Sequence, residues 1–105
     1  MKQEDNPWSK ALVTVCTKCG KSISSKDLED PGNVAENLKM YLKKSFKDSG
    51  DSKKIRVVTS SCLDICVDDY QAVTIAKTDG KTESWILHPE KEKKDLLEYL
   101  KKQIE

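Results

Sequence analysis

Ala11-Leu12-Val13-Thr14-Val15-Cys16-Thr17-Lys18-Cys19 is the stretch on which the fold turns. Its first five residues are apolar or β-branched, the composition of a short buried strand, and the strand runs straight into a C-x-x-C pair. A second stretch repeats the arrangement. Ile55-Arg56-Val57-Val58-Thr59 leads through Ser60-Ser61 to Cys62-Leu63-Asp64-Ile65-Cys66. Two strands therefore each deliver a close pair of thiols, with 42 residues between the pairs.

The intervening segment decides how those strands sit. Lys21 to Gly32 is polar, with Pro31 and Gly32 at its end, and reads as loop. A helix is predicted to begin near Asn33, with Asn33 as its cap and Glu36 three residues on as the reciprocal partner. Val34, Leu38, Tyr41, Leu42 and Phe46 recur at helical spacing on one face, while Lys39, Lys43, Lys44 and Lys47 lie elsewhere. Asp48-Ser49-Gly50-Asp51-Ser52 ends the helix. A helix between two strands makes them parallel neighbours through a right-handed crossover. Both strands then end at one edge of the sheet, which is where open α/β sheets hold their ligands.

Working outward, Ala72–Ala76 and Ser84–Leu87 read as two further strands joined by a hairpin turn at Asp79-Gly80. His88-Pro89 breaks the last strand. A closing helix is expected from there, with Pro89 at its first position, Glu90 and Glu92 near its start and Lys101 and Lys102 near its end. Leu96, Leu97, Leu100 and Ile104 form its apolar stripe. The order strand, helix, strand, hairpin, helix predicts an α/β domain over residues 10–105, a four-stranded mixed sheet of thioredoxin-like topology. Residues 1–9 are expected to be a flexible N-terminal tail, with Trp8 large enough to fold back on a sheet edge. Trp85 is expected in the core, and Tyr70 in a solvent-facing loop.

Composition narrows the function classes. The 105-residue chain has 19 basic and 18 acidic side chains, a net charge of +1. That balance argues against nucleic acid or a membrane surface as the partner, since both call for a basic excess. No apolar run reaches the roughly 18 residues of a membrane span. Met1 to Asn6 carries acidic residues with no hydrophobic stretch behind it, unlike a signal peptide. A cytoplasmic location is the expectation, and in that reducing compartment paired cysteines are metal ligands or redox catalysts more often than structural disulfides.

Cys16, Cys19, Cys62 and Cys66 together offer four thiolates, the ligand count of a [2Fe–2S] cluster or of tetrahedral zinc. Thiolate suits either centre because it is a soft, charged donor. His88, the one histidine, suits a helix cap or the surface better than a ligand role. Asp64, Asp68 and Asp69 read as solvated loop residues that would lower the potential of a nearby cluster. The lysine-rich helix faces read as solvated surface and as a weak dock for an acidic redox partner.

The strand Val13-Thr14-Val15 entering Cys16, the segment Ser61-Cys62-Leu63-Asp64-Ile65-Cys66, the apolar strand after it and the helix opened by His88-Pro89-Glu90 resemble the thioredoxin-like [2Fe–2S] ferredoxins. Their relatives include the small [2Fe–2S] subunit beside the flavin subunit of respiratory complex I. The V-C-T-x-C opening is also similar to small bacterial proteins described as metal-binding. The resemblance covers roughly residues 10–105 and rests specifically on the two cysteine pairs. It implies that Cys16, Cys19, Cys62 and Cys66 ligate the cluster and that the protein transfers single electrons to a redox partner protein rather than turning over a substrate. The first pair stands closer than in either the complex I subunits or the free ferredoxins.

Two alternatives stay open. A zinc-binding four-cysteine interaction module uses the same ligands, although zinc ribbons favour two glycine-bearing C-x-x-C knuckles and Cys62–Cys66 has neither that spacing nor a glycine. A thiol-disulfide redox protein would use Cys16-Thr17-Lys18-Cys19 after the first strand. Val15 stands where that class usually has tryptophan, and no proline stands just ahead of the hairpin, where that fold's cis-proline would face the pair; Pro89 comes after it. Oligomeric state, including a homodimer, is not legible.

Overall fold

The computed structural model describes residues 1–17, 34–61 and 70–104. The elements run β1 (Ala11–Cys16), α1 (Val34–Asp48), β2 (Ile55–Ser60), β3 (Gln71–Lys77), β4 (Thr82–Leu87) and α2 (Lys93–Gln103). Among the described residues, the four strands form one mixed sheet in the order β2-β1-β3-β4. β1 lies parallel to β2 and antiparallel to β3, and β3 pairs antiparallel with β4. The expected α/β architecture with a four-stranded mixed sheet is therefore present. Each strand is one or two residues longer than its apolar run, because Cys16, Ser60, Gln71, Lys77, Thr82 and Glu83 also join the ladders.

Alternation along the strands divides the sheet into two faces. Ala11, Val13 and Val15 share one face with Ile55 and Val57 and with Val73 and Ile75, and all are buried. Against it pack Ala35, Leu38, Leu42 and Phe46 of α1, Leu96 and Leu100 of α2, and Ile104 just beyond. The α1 stripe differs by one position from the expected one. Ala35 is buried while Val34 and Tyr41 are half-buried, since the Leu38–Leu42–Phe46 row points straight at the sheet and leaves those two on its flanks.

Helix α1 stops at a glycine cap. Asp51 N–H donates to Phe46 O (2.8 Å) and Gly50 N–H to Lys47 O (3.2 Å), with Gly50 at φ +80°, the paired bonds of a Schellman motif. The Asn33 half of the expected N-terminal capping pair, like the Lys21 to Gly32 loop, lies outside the described residues. Glu36 pairs with Lys39 at 2.8 Å. The hairpin turn falls where Asp79-Gly80 predicts it: Gly80 has φ +93°, and Asp79 Oδ1 accepts from Lys81 N–H.

Helix α2 begins at Lys93, four residues later than Pro89 suggests. Side chains hold residues 88–92 in a turn of their own. His88 Nδ1 accepts from the N–H groups of Glu90 (3.2 Å) and Lys91 (3.1 Å), and His88 N–H donates to Glu92 Oε1 at 2.8 Å. Local acceptors of this kind compete with helix formation. Residues 1–9 are not wholly separate: Ser9 N–H donates to Lys53 O, Thr78 Oγ1 donates to Ser9 O, and Trp8 is partly buried.

Trp85 is not in the core. It is 48% exposed, on β4, the last strand of the sheet. There it meets Tyr99 edge-to-face at 5.4 Å between ring centres. Tyr99 Oη donates to Glu83 Oε2, and Lys77 Nζ lies 3.3 Å from Glu83 Oε1. The Tyr99 hydroxyl, helped by Lys77 and against some burial, holds the Glu83 carboxyl below its ordinary value, and Glu83 in turn raises Tyr99.

Two predictions follow from this packing. Leu42→Ala should cost about 2–5 kcal/mol in urea unfolding, the range for removing a fully buried leucine. Tyr99→Phe should lower stability throughout the neutral range, since a depressed glutamate stabilises above its unfolded value and a raised tyrosine stabilises below its own. The difference between wild type and Tyr99→Phe should shrink as pH falls from the ordinary glutamate range through the lower folded value. A difference that is flat with pH in urea titrations would contradict it.

Candidate metal centre

Cys16 is the last residue of β1 and is 0% exposed. Its register partner on β2 is Ser60, one residue short of Ser61 and two short of Cys62. The pairing carries on past the strand end. Thr17 N–H and Thr17 Oγ1 both donate to Ser60 O at 2.8 Å, and Oγ1 also approaches Ser61 O at 3.4 Å. From the other side, Gln71 Nε2 donates to Cys16 O at 2.6 Å and to Ala72 O at 3.0 Å. The backbone around Cys16 is therefore clamped between β2 and the first residue of β3.

Cys19, Cys62 and Cys66 lie outside the described residues, as do Asp64, Asp68 and Asp69. In sequence they stand close to described residues of this sheet end. Cys62 directly follows Ser61 in the sequence, and Cys19 comes two residues after Thr17. Cys66 stands five residues from Ser61 and four from Tyr70, and Tyr70 enters the same sheet end through Gln71. Tyr70 itself is exposed, as expected of a loop residue.

Gln71 is a residue that sequence reading passed over. It is 0% exposed, the buried polar side chain of this edge. Its Nε2 meets two carbonyls, while Gln71 Oε1 and Ser60 Oγ are buried without a partner among the described residues. A polar residue at the start of an apolar strand was the available signal, but nothing local says that its amide reaches the neighbouring strand. Unpartnered buried polar atoms are uncommon in folded proteins. These two flank Cys16 on β3 and β2.

The other candidates separate. His88 follows Leu87, the register partner of Gln71, and so stands at the same end of the sheet, but its Nδ1 is committed to the turn described above. Trp85 stands on β4 opposite Val73, which pairs with Val15, so one strand separates it from the residue preceding Cys16. Among the described residues, no three His, Cys, Asp or Glu side chains are grouped closely enough to hold a metal. No helix among them is long and apolar enough to cross a membrane. Comparison with known proteins finds no matching family model, no matching curated protein and no matching solved structure.

Gln71→Leu should destabilise the protein by about 1–3 kcal/mol, because Cys16 O loses a donor at a buried position. Urea unfolding measures this. A loss below about 0.5 kcal/mol, half the net worth of a typical hydrogen bond, would mean that water replaces the amide there.

Proposed function

We propose that this protein is a small electron carrier of thioredoxin-like topology that holds one [2Fe–2S] cluster through Cys16, Cys19, Cys62 and Cys66. The observation that carries the reading is the parallel register of β1 and β2. It pairs Cys16 with Ser60, two residues before Cys62 in the sequence, which supports convergence of the two thiol pairs despite their separation along the chain. Bound there, the cluster supplies one-electron exchange. The chain's own part is to fix the sulfurs: Thr17 ties the first loop to β2, and Gln71 ties the end of β1 to β3. Burial of Cys16 favours a ligand over a nucleophile, since an attacking thiolate needs access to its target disulfide. That weighs against the thiol-disulfide reading. Zinc remains the second reading, favoured by the close C-x-x-C spacing of the first pair.

Anaerobic reconstitution with iron and sulfide, followed by metal analysis and a visible spectrum, tests this directly. The expected product is red-brown, holds two irons per chain, bleaches on reduction, and loses its colour in Cys62→Ser or Cys66→Ser. A colourless protein with one equivalent of zinc would replace the cluster with the second reading. Failure to retain either metal after reconstitution, with disulfide reductase activity that survives Cys62→Ser and Cys66→Ser but not Cys16→Ser, would overturn both.

A further inference from the structure

The two outer strands of the sheet differ in character. Beside β2 and α1, a groove of about 370 Å³ is lined by Lys39, Lys43 and Arg56 together with hydroxyl-bearing and aliphatic residues. Charged side chains along an edge strand commonly keep it from pairing with another chain, and solubility accounts for that side. The β4 side is different. Between β4 and α2 runs a groove of about 240 Å³ whose apolar walls include Trp85, Leu87, Leu96 and Tyr99. In a chain with 35% charged residues, Trp85 is about half exposed there. The two charged residues lining it are Glu92 and Asp95, both acidic.

The walls are already fixed. Trp85 and Tyr99 pack edge-to-face, and Glu83 ties both from below, accepting from Tyr99 Oη and, at 3.5 Å, from Trp85 Nε1. Lys77 holds the same carboxylate. A rigid aromatic wall loses little freedom when something binds to it, which is why tryptophan and tyrosine dominate binding hot spots. The volume lies below the roughly 300–1,000 Å³ of small-molecule pockets, and suits a pair of side chains from a protein partner.

The geometry points to the groove between β4 and α2 as a docking site for a basic partner segment, one that presents an arginine or lysine beside an apolar side chain. The apolar side chain fills the space over Leu87 and Leu96. The cation lies against the aromatic rings with Glu92 and Asp95 at the rim, where both cation–π attraction and charge favour it. The protein already shows the same contact internally, with Lys93 Nζ 4.8 Å above the Tyr41 ring. A second copy is disfavoured as occupant. A two-fold dimer through this groove would bring Glu92 and Asp95 toward their own copies, setting like charges face to face. The inference stands independently of the metal reading.

Nuclear magnetic resonance on the full-length ¹⁵N-labelled protein tests it. The probes are two short capped peptides, one alternating arginine and leucine and the other alternating glutamate and leucine. The arginine peptide should shift the Trp85 indole N–H and the amides of Asp95 and Tyr99 in a saturable way, and the glutamate peptide should not. The double variant Glu92→Gln with Asp95→Asn should weaken binding about fivefold, the effect of two exposed charge contacts together. Glu92→Gln keeps the acceptor for His88 N–H, and circular dichroism checks that the variant is folded. Equal shifts with both peptides, no shift at millimolar arginine peptide, or unchanged affinity in the folded variant would each overturn the inference. So would a dimer in sedimentation that Trp85→Ser disrupts, because the groove would then belong to a second copy.

Discussion

Everything at the candidate centre depends on β1 being hydrogen-bonded on both sides. Its parallel ladder to β2 sets Cys16 beside Ser60, and its antiparallel ladder to β3 brings Gln71 to the same sheet end. A slip of one residue in either ladder would turn Val13 and Val15 away from the helices and bring Thr14 and Cys16 under them. Because alternate residues face opposite sides, the cost is a whole row of core contacts rather than one. The register that buries the valines is thus the register that positions the first thiol. Core packing and site geometry are one constraint.

That constraint is reinforced by polar groups at the strand ends. Thr17 places two donors on one carbonyl of β2, and Gln71 places its amide on the carbonyl of Cys16. Burying a glutamine is unfavourable unless its hydrogen bonds are met, and only one half of this amide is met among the described residues. The aromatic groove lies across the sheet from β2, on the outermost strand. A partner seated there stands two strand spacings, about 10 Å, from the line of β1.

The chain alone settled the element order. β-branched runs, the Asp79-Gly80 turn, the glycine after α1 and the leucine spacing in α2 are local signals, and local sterics and amphipathic spacing enforce them. The four cysteines were equally plain, because chemical rarity and tight spacing are properties of the sequence itself. Tertiary structure decided what depends on neighbours distant in the chain. Strand order left Trp85 half exposed, although its composition suggests the core. The side-chain bonds of His88 and Glu92 delayed α2 past Pro89. The reach of Gln71 to Cys16 spans 55 positions, and no local pattern encodes a hydrogen bond made only once two strands lie side by side.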